Sequence, residues 1–96
     1  MTTEDFTKEV ELKISLGHLL AVWDVLSNRL AGSPFLETLS AEESRAMRAL
    51  DDLCEHAIAA NGIAPRPAPE WDRLIQAAKE HVKSIHLDFE DTWPQL

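Results

Sequence analysis

The sequence predicts a small all-α domain, built from three helices that follow one short N-terminal β-strand, with the strand paired across a homodimer. Three observations lead to this prediction. Apolar residues recur with helical spacing in three long segments, a single segment near the N-terminus alternates with period two, and no second segment offers that strand a partner. The 96 residues fit a single domain, residues 1–96, whose small core a dimer would supplement.

The strand is predicted over residues 9–14, EVELKI, where apolar and charged residues alternate. The alternative is an extra helical turn that leads into the first helix. A lone strand leaves backbone N–H and C=O groups unpaired, so we expect it to pair with the same strand of another subunit. One face would carry Val10, Leu12 and Ile14, and the other Glu9, Glu11 and Lys13.

The first helix is predicted over residues 16–31, with Ser15 as its N-cap and Gly32 as the left-handed residue that ends it. Its apolar side chains cover an arc of roughly 160°, wider than the stripe of a helix with one neighbour. We therefore expect a central helix that contacts two neighbours, and Val25 lies outside the arc. The arc contains Leu16, Leu19, Leu20, Val22, Trp23, Leu26 and Leu30.

The second helix is predicted over residues 41–60, after an apolar connection, 31–40, that can hold a short helical turn. Ser40 and Glu43 have the spacing of a capping box, and Gly62 is placed to end the helix. One side of the helix is apolar and is expected to face the core. That side contains Ala46, Met47, Leu50, Leu53, Cys54, Ala57 and Ile58.

The third helix is predicted over residues 69–90, after an extended proline-rich linker, 64–69. Its apolar side chains span only roughly 100° of arc. This narrow stripe predicts an outer helix that docks on a groove formed by the first two. The stripe contains Trp71, Leu74, Ile75, Ala78, Val82, Ile85 and Phe89.

The charge balance limits the classes of partner. The formal net charge is -8, from 17 acidic and 9 basic residues, which disfavours binding to nucleic acids and to anionic membranes and permits a basic protein partner. No segment approaches the roughly 20 apolar residues that span a bilayer. The N-terminus is polar and acidic, so we expect no signal peptide and a cytoplasmic location.

The polar face of the second helix is the candidate partner-binding site, because it concentrates exposed charges of both signs. It consists of Arg48, Asp51, Asp52, Glu55 and His56. Cys54, the only cysteine, points away from His56 on a helix and is expected to be a small buried apolar side chain.

Four histidines could suggest a metal, but their spacing does not form a ligand set. His56 can meet Asp52 at i,i+4, although no further ligand is identified by sequence. His18, His81 and His86 are expected to be structural. We therefore predict no cofactor and no metal.

These features favour a non-catalytic protein–protein interaction module: a small acidic adaptor, accessory or immunity-type protein. The order of one strand and two helices is also that of ribbon-helix-helix transcription regulators, an architectural comparison only. There the strand reads the DNA groove, and Glu9 and Glu11 would repel phosphate. A second alternative is a small metal-binding protein or enzyme that uses His56 and Asp52.

Overall fold

The computed structural model describes residues 3–85, and every regular element in that range is helical, which confirms the all-α class. Helix α1 runs into a π-helical turn, and a short 3-10 helix lies in the connection to α2. The elements are α1 (Leu16–Asp24), the π turn (Val25–Arg29), the 3-10 helix (Pro34–Thr38), α2 (Ala41–Ala60) and α3 (Ala68–Lys83).

The predicted strand does not form in the single chain. Residues 9–14 carry no regular secondary structure, and nothing within residues 3–85 pairs with them. The alternative of an extra helical turn is absent too, because α1 begins at Leu16. The apolar row of the segment faces solvent, with Val10 76% and Leu12 84% exposed. A strand requires a neighbouring strand, and this chain supplies none in the described range.

Local side-chain chemistry sets the helix starts as predicted. The Ser15 hydroxyl accepts from the His18 N–H at 3.2 Å at the start of α1. At the start of α2, the Glu43 N–H donates to Ser40 Oγ at 3.1 Å and the Ser40 N–H donates to Glu43 Oε1 at 2.8 Å, a complete capping box. The segment after α2 turns at Gly62, whose φ is +85°.

The first helix stays helical to Arg29, close to the predicted end, but its last part is not α-helical. The Leu30 N–H donates to the Val25 carbonyl at 2.9 Å, five residues back, which widens the turn. Asn28 Nδ2 donates to Asp24 Oδ1 at 2.9 Å across this turn. The chain then reverses through Gly32, whose φ of +74° is the predicted left-handed conformation.

Helix α3 ends earlier than the predicted residue 90. Its last residue is Lys83, and the Ser84 hydroxyl donates to the His81 carbonyl at 2.6 Å. That carbonyl would otherwise accept the N–H of Ile85, which bonds to Val82 instead, so the helical ladder stops. Phe89, the last residue of the predicted stripe, lies outside the described residues.

Helix α1 is central, as its wide apolar arc predicts, because it packs against both α2 and α3. Helix α3 lies along α1 and does not occupy a groove shared equally with α2. Leu20 is the most buried member of a core cluster that also contains Ile58, Ile75 and Ala78. An ion pair adds to the contact: Lys79 Nζ of α3 lies 3.4 Å from Oδ2 of the buried Asp24.

Helix α2 is rotated relative to the expected apolar face. Cys54 and Ile58 are buried and Met47 is half-buried, but Leu50 is 44% and Leu53 67% exposed. The helix contacts α1 through the edge that contains Met47, Cys54 and Ile58. No element among residues 3–85 covers the adjoining edge, so half of the predicted core face of α2 remains at the surface.

Candidate functional site

The predicted partner-binding face divides into three parts. Arg48 and Asp51 line one hollow beside the π turn, and Glu55 lines a second hollow one turn further along α2. Asp52 and His56 are exposed and lie in neither hollow. The face therefore contributes to two separate hollows, and two of its five residues lie in neither.

The first hollow, here called the leucine hollow, lies between the π turn, the 3-10 helix and the N-terminal half of α2. Its volume is about 220 Å³. Apolar side chains form most of its wall, and the charged groups come from α2 alone. It is lined by Leu26, Leu30, Ala31, Leu36, Ser44, Met47, Arg48 and Asp51.

Two leucines from the π turn and its end, four residues apart, share the wall of this hollow. Residues at this spacing lie on one face of a helix, so Leu26 and Leu30 face the hollow together. Such turns are rare and occur frequently at functional sites. Leu36 closes the wall from the 3-10 helix, whose start the Ser33 hydroxyl caps by accepting from the Phe35 N–H at 3.2 Å.

The polar group that stands out in the leucine hollow is the Asp51 carboxylate. Its Oδ1 atom is buried and has no hydrogen-bond partner within the described part of the chain. An unpaired carboxylate oxygen removed from water costs free energy. Because Oδ1 is covered, the hollow itself presents an apolar wall bordered by the charged residues of α2.

The second hollow, here called the tryptophan hollow, has a volume of about 390 Å³. Trp23 of α1 and Trp71 of α3 pack edge to face, with ring centroids 5.3 Å apart and an interplanar angle of 88°. Trp23 Nε1 is buried without an acceptor among residues 3–85. The hollow is lined by Trp23, Glu55, Ile58, Ala59, Ile63, Pro65, Arg66 and Trp71.

Cys54 is placed as the sequence predicts, on the buried edge of α2. Burial raises the pKa of its thiol, and the charge of Asp51 raises the pKa further. A raised pKa disfavours the thiolate, which is the nucleophilic form. Cys54 is therefore a packing residue rather than a reactive one.

The histidines do not converge in the described range. Within residues 3–85, no group of three or more His, Cys, Asp or Glu side chains is placed to hold a metal ion, so His56 and Asp52 gain no further ligand there. His81 Nε2 lies 2.8 Å from Ser15 Oγ, which ties the end of α3 to the N-cap of α1. His86 lies outside the described residues.

The His81 ring also packs against Gly17, in the first turn of α1. A Cβ atom at Gly17 would lie 2.6 Å from His81 Cδ2, closer than carbon atoms approach in proteins. The absence of a side chain at this position lets α3 approach the start of α1. The Ser15–His81 pair thus acts in helix packing, and Ser15 already serves as the N-cap.

Sequence reasoning missed both hollows. Each is assembled from segments distant along the chain. The four-residue spacing of Leu26 and Leu30 was the one pattern visible in the sequence, and it indicated core packing. The unpaired Asp51 oxygen had no signal in the sequence.

Comparison with protein-family models, curated proteins and solved structures found no match to this chain. Within residues 3–85, the helices are too short or too polar to cross a membrane.

Proposed function

We propose that this protein is a non-catalytic protein–protein interaction module: a small acidic adaptor, accessory or immunity-type protein. The observation that carries the proposal is the pair of hollows that α2 lines. Each has an apolar wall, and exposed charges of both signs stand beside them on α2, as interfaces with a packed centre and a polar rim have. The net charge of -8 favours a basic partner, and we place the protein in the cytoplasm.

Helix α2 supplies the discriminating charges. Arg48 and Glu55 are both exposed on this helix, and each lines one of the two hollows. A partner segment that lies along α2 would meet the positive Arg48 and the negative Glu55 within two turns of the helix. Such groups contribute more to partner choice and association rate than to affinity.

Affinity capture with matched baits tests this function. The wild-type protein, the doubly charge-reversed Arg48→Glu/Glu55→Lys variant and a control, Asp72→Lys/Arg73→Glu, are compared under identical conditions. The control reverses two exposed charges on α3 that line neither hollow. We expect one protein to be retained by wild type and by the control and lost with the Arg48→Glu/Glu55→Lys variant. Equal retention by all three baits, or none by any, would contradict the proposal.

The same chain also supports self-association through residues 9–14. If two copies pair antiparallel about Leu12, Val10 faces Ile14 of the second copy and Glu11 faces Lys13 of the second copy, twice each. Such cross-strand apolar and opposite-charge pairs stabilise sheets. The exposed row of the segment would then be covered, so we propose a homodimer of this kind.

Light scattering after size exclusion tests the dimer. Leu12→Lys should give a monomer, because it places two like charges at the two-fold axis. Leu53→Lys is the matched control, since Leu53 is also an exposed leucine, on α2. A monomeric wild type, or a dimer lost only with Leu53→Lys, would refute strand pairing.

We do not extend the proposal to DNA binding or to metal chemistry. The segment that a ribbon-helix-helix regulator would place in the groove presents the exposed, acidic Glu9 and Glu11. His56 and Asp52 are exposed on α2, with no third ligand in the described range.

A further inference from the structure

Residues 85–90, IHLDFE, alternate apolar and polar residues as residues 9–14 do. The helical stripe predicted from the sequence conceals this alternation, but α3 ends at Lys83 and the backbone of Ile85 is not helical. Outside a helix, such alternation is typical of a strand with one apolar face. Ile85 is the last described residue, and residues 86–90 lie outside the described range. The apolar residues of the segment are Ile85, Leu87 and Phe89, and the polar residues are His86, Asp88 and Glu90.

The end of α3 lies beside the start of α1. His81 Nε2 is 2.8 Å from Ser15 Oγ, and the His81 ring packs against Gly17. Residues 9–14 lead directly into Ser15, and Ile85 follows His81 by four positions. The chain thus enters the helices through one alternating segment and leaves them through the other, at the same end. Two segments that run in opposite directions from a shared point have the relative direction of antiparallel strands.

Residues 9–14 present an uncovered apolar row and a backbone that pairs with nothing within residues 3–85. Val10 is 76% and Leu12 84% exposed. Unpaired N–H and C=O groups of this kind are a template for another strand. The homodimer proposed above uses one edge of the segment, and a ribbon of two strands is only marginally stable in water. The second edge is available with or without the dimer.

We propose that residues 85–90 pair as an antiparallel strand with residues 9–14 of the same chain. The alternation supplies a matching apolar face, and the contact of His81 with Ser15 brings the two segments to one place. The inference goes beyond the proposed function, since it requires neither the protein partner nor the homodimer. In the homodimer, the same pairing would add one strand to each outer edge of the central ribbon.

Charge selects the register of the two strands. The register shifted by two residues would oppose Glu11 to Asp88 and Glu9 to Glu90, and like charges directly opposite one another are destabilising. In the favoured register one such couple remains, Glu11 with Glu90. That register joins two apolar couples and one couple of opposite charge: Ile14 with Leu87, Leu12 with Phe89, and Lys13 with Asp88.

NMR of the full chain tests the pairing. Isotope-filtered spectra of a mixture of labelled and unlabelled protein separate contacts within one chain from contacts between chains. We expect backbone contacts between residues 11–14 and 87–90 within one chain. Amides on one edge of residues 9–14 should exchange with solvent at least about tenfold more slowly than in an unpaired chain. Both results should persist at dilutions that separate the homodimer.

Substitutions in the C-terminal segment change this protection in opposite directions. Phe89→Asp should abolish it, because a carboxylate replaces the ring opposite Leu12. Thr92→Asp is the matched control, since it adds the same charge beyond the paired residues, and it should leave the protection unchanged. Glu90→Lys should slow exchange further, because the couple with Glu11 then has opposite charges.

Three outcomes would overturn the inference. The first is exchange of every amide in residues 9–14 at the rate of an unpaired chain. The second is protection that survives Phe89→Asp and is lost on dilution, which would mean that only the second copy pairs with the segment. The third is contact between the two segments that appears only between labelled and unlabelled chains, which would place residues 85–90 on the other copy.

Discussion

The contact between Gly17 and His81 makes a quantitative prediction about helix packing. A Gly17→Ala substitution introduces a Cβ atom 2.6 Å from Cδ2, 3.0 Å from Cγ and 3.3 Å from Cβ of His81. The ring cannot clear the new atom by rotating its tip alone, because its base and its Cβ are also close. The ring must change rotamer and lose the 2.8 Å bond to Ser15, or α3 must move away from α1.

The magnitude follows from two opposing terms. Overpacking of this kind costs about 1–3 kcal/mol, and replacing glycine by alanine within a helix stabilises it by up to about 1 kcal/mol. Gly17→Ala should therefore lower the free energy of unfolding by up to about 3 kcal/mol. In a His81→Ala background the obstacle is absent, and the same substitution should raise it by up to about 1 kcal/mol.

A double-mutant cycle, with urea unfolding followed by tryptophan fluorescence, measures this reversal of sign. Gly17→Ala in a Lys83→Ala background is the control, because Lys83 is an exposed α3 residue and should leave the cost unchanged. The coupling between Gly17 and His81 should be about 1–3 kcal/mol. Effects that add within about 0.5 kcal/mol would show that the two residues do not meet.

Three other substitutions follow from contacts already described. Trp23→Ala should lower the free energy of unfolding by about 3–5 kcal/mol, because the indole fills space beside the core. A variant that melts at the parental temperature would disprove the central place of α1. Lys79→Ala leaves the carboxylate of Asp24 buried with only its amide partner, and should cost about 1 kcal/mol by urea unfolding; an unchanged midpoint would contradict this. Glu43→Gln should flatten the acid limb of the stability profile: the hydrogen bond from the Ser40 backbone N–H, and after it the Ser40 side chain, lowers the pKa of Glu43 in the folded state, so this contribution is present above the unfolded pKa and is lost as pH falls through the folded pKa. An acid limb unchanged in the variant would refute that linkage.

The helix starts were predictable because each depends on residues close together in the sequence. Ser15 bonds the N–H three residues later, and Ser40 and Glu43 satisfy one another. Gly32 and Gly62 adopt the positive φ expected of them for the same local reason. The central place of α1 was predictable too, because the width of an apolar arc reports how many neighbours a helix needs.

The errors fall where distant segments decide the outcome. The alternation in residues 9–14 indicates a strand, but whether a strand forms depends on a partner, which residues 3–85 do not supply. Leu53 has the right spacing for the core, and its exposure depends on which edge of α2 meets α1. The leucine hollow depends on three elements at once, so the candidate site was predicted only as a charged face.

The π turn bears on how such a site could arise. A π turn holds one residue more than the α turn that it replaces, so a single-codon insertion into a regular helix is its simplest origin. In an unbroken α-helix an inserted residue rotates every later side chain by about 100°, whereas the bulge absorbs the excess locally. Leu30 follows the π turn and lines the hollow. A pocket wall can therefore be gained or lost in one genetic step, without replacing any of the side chains that form it.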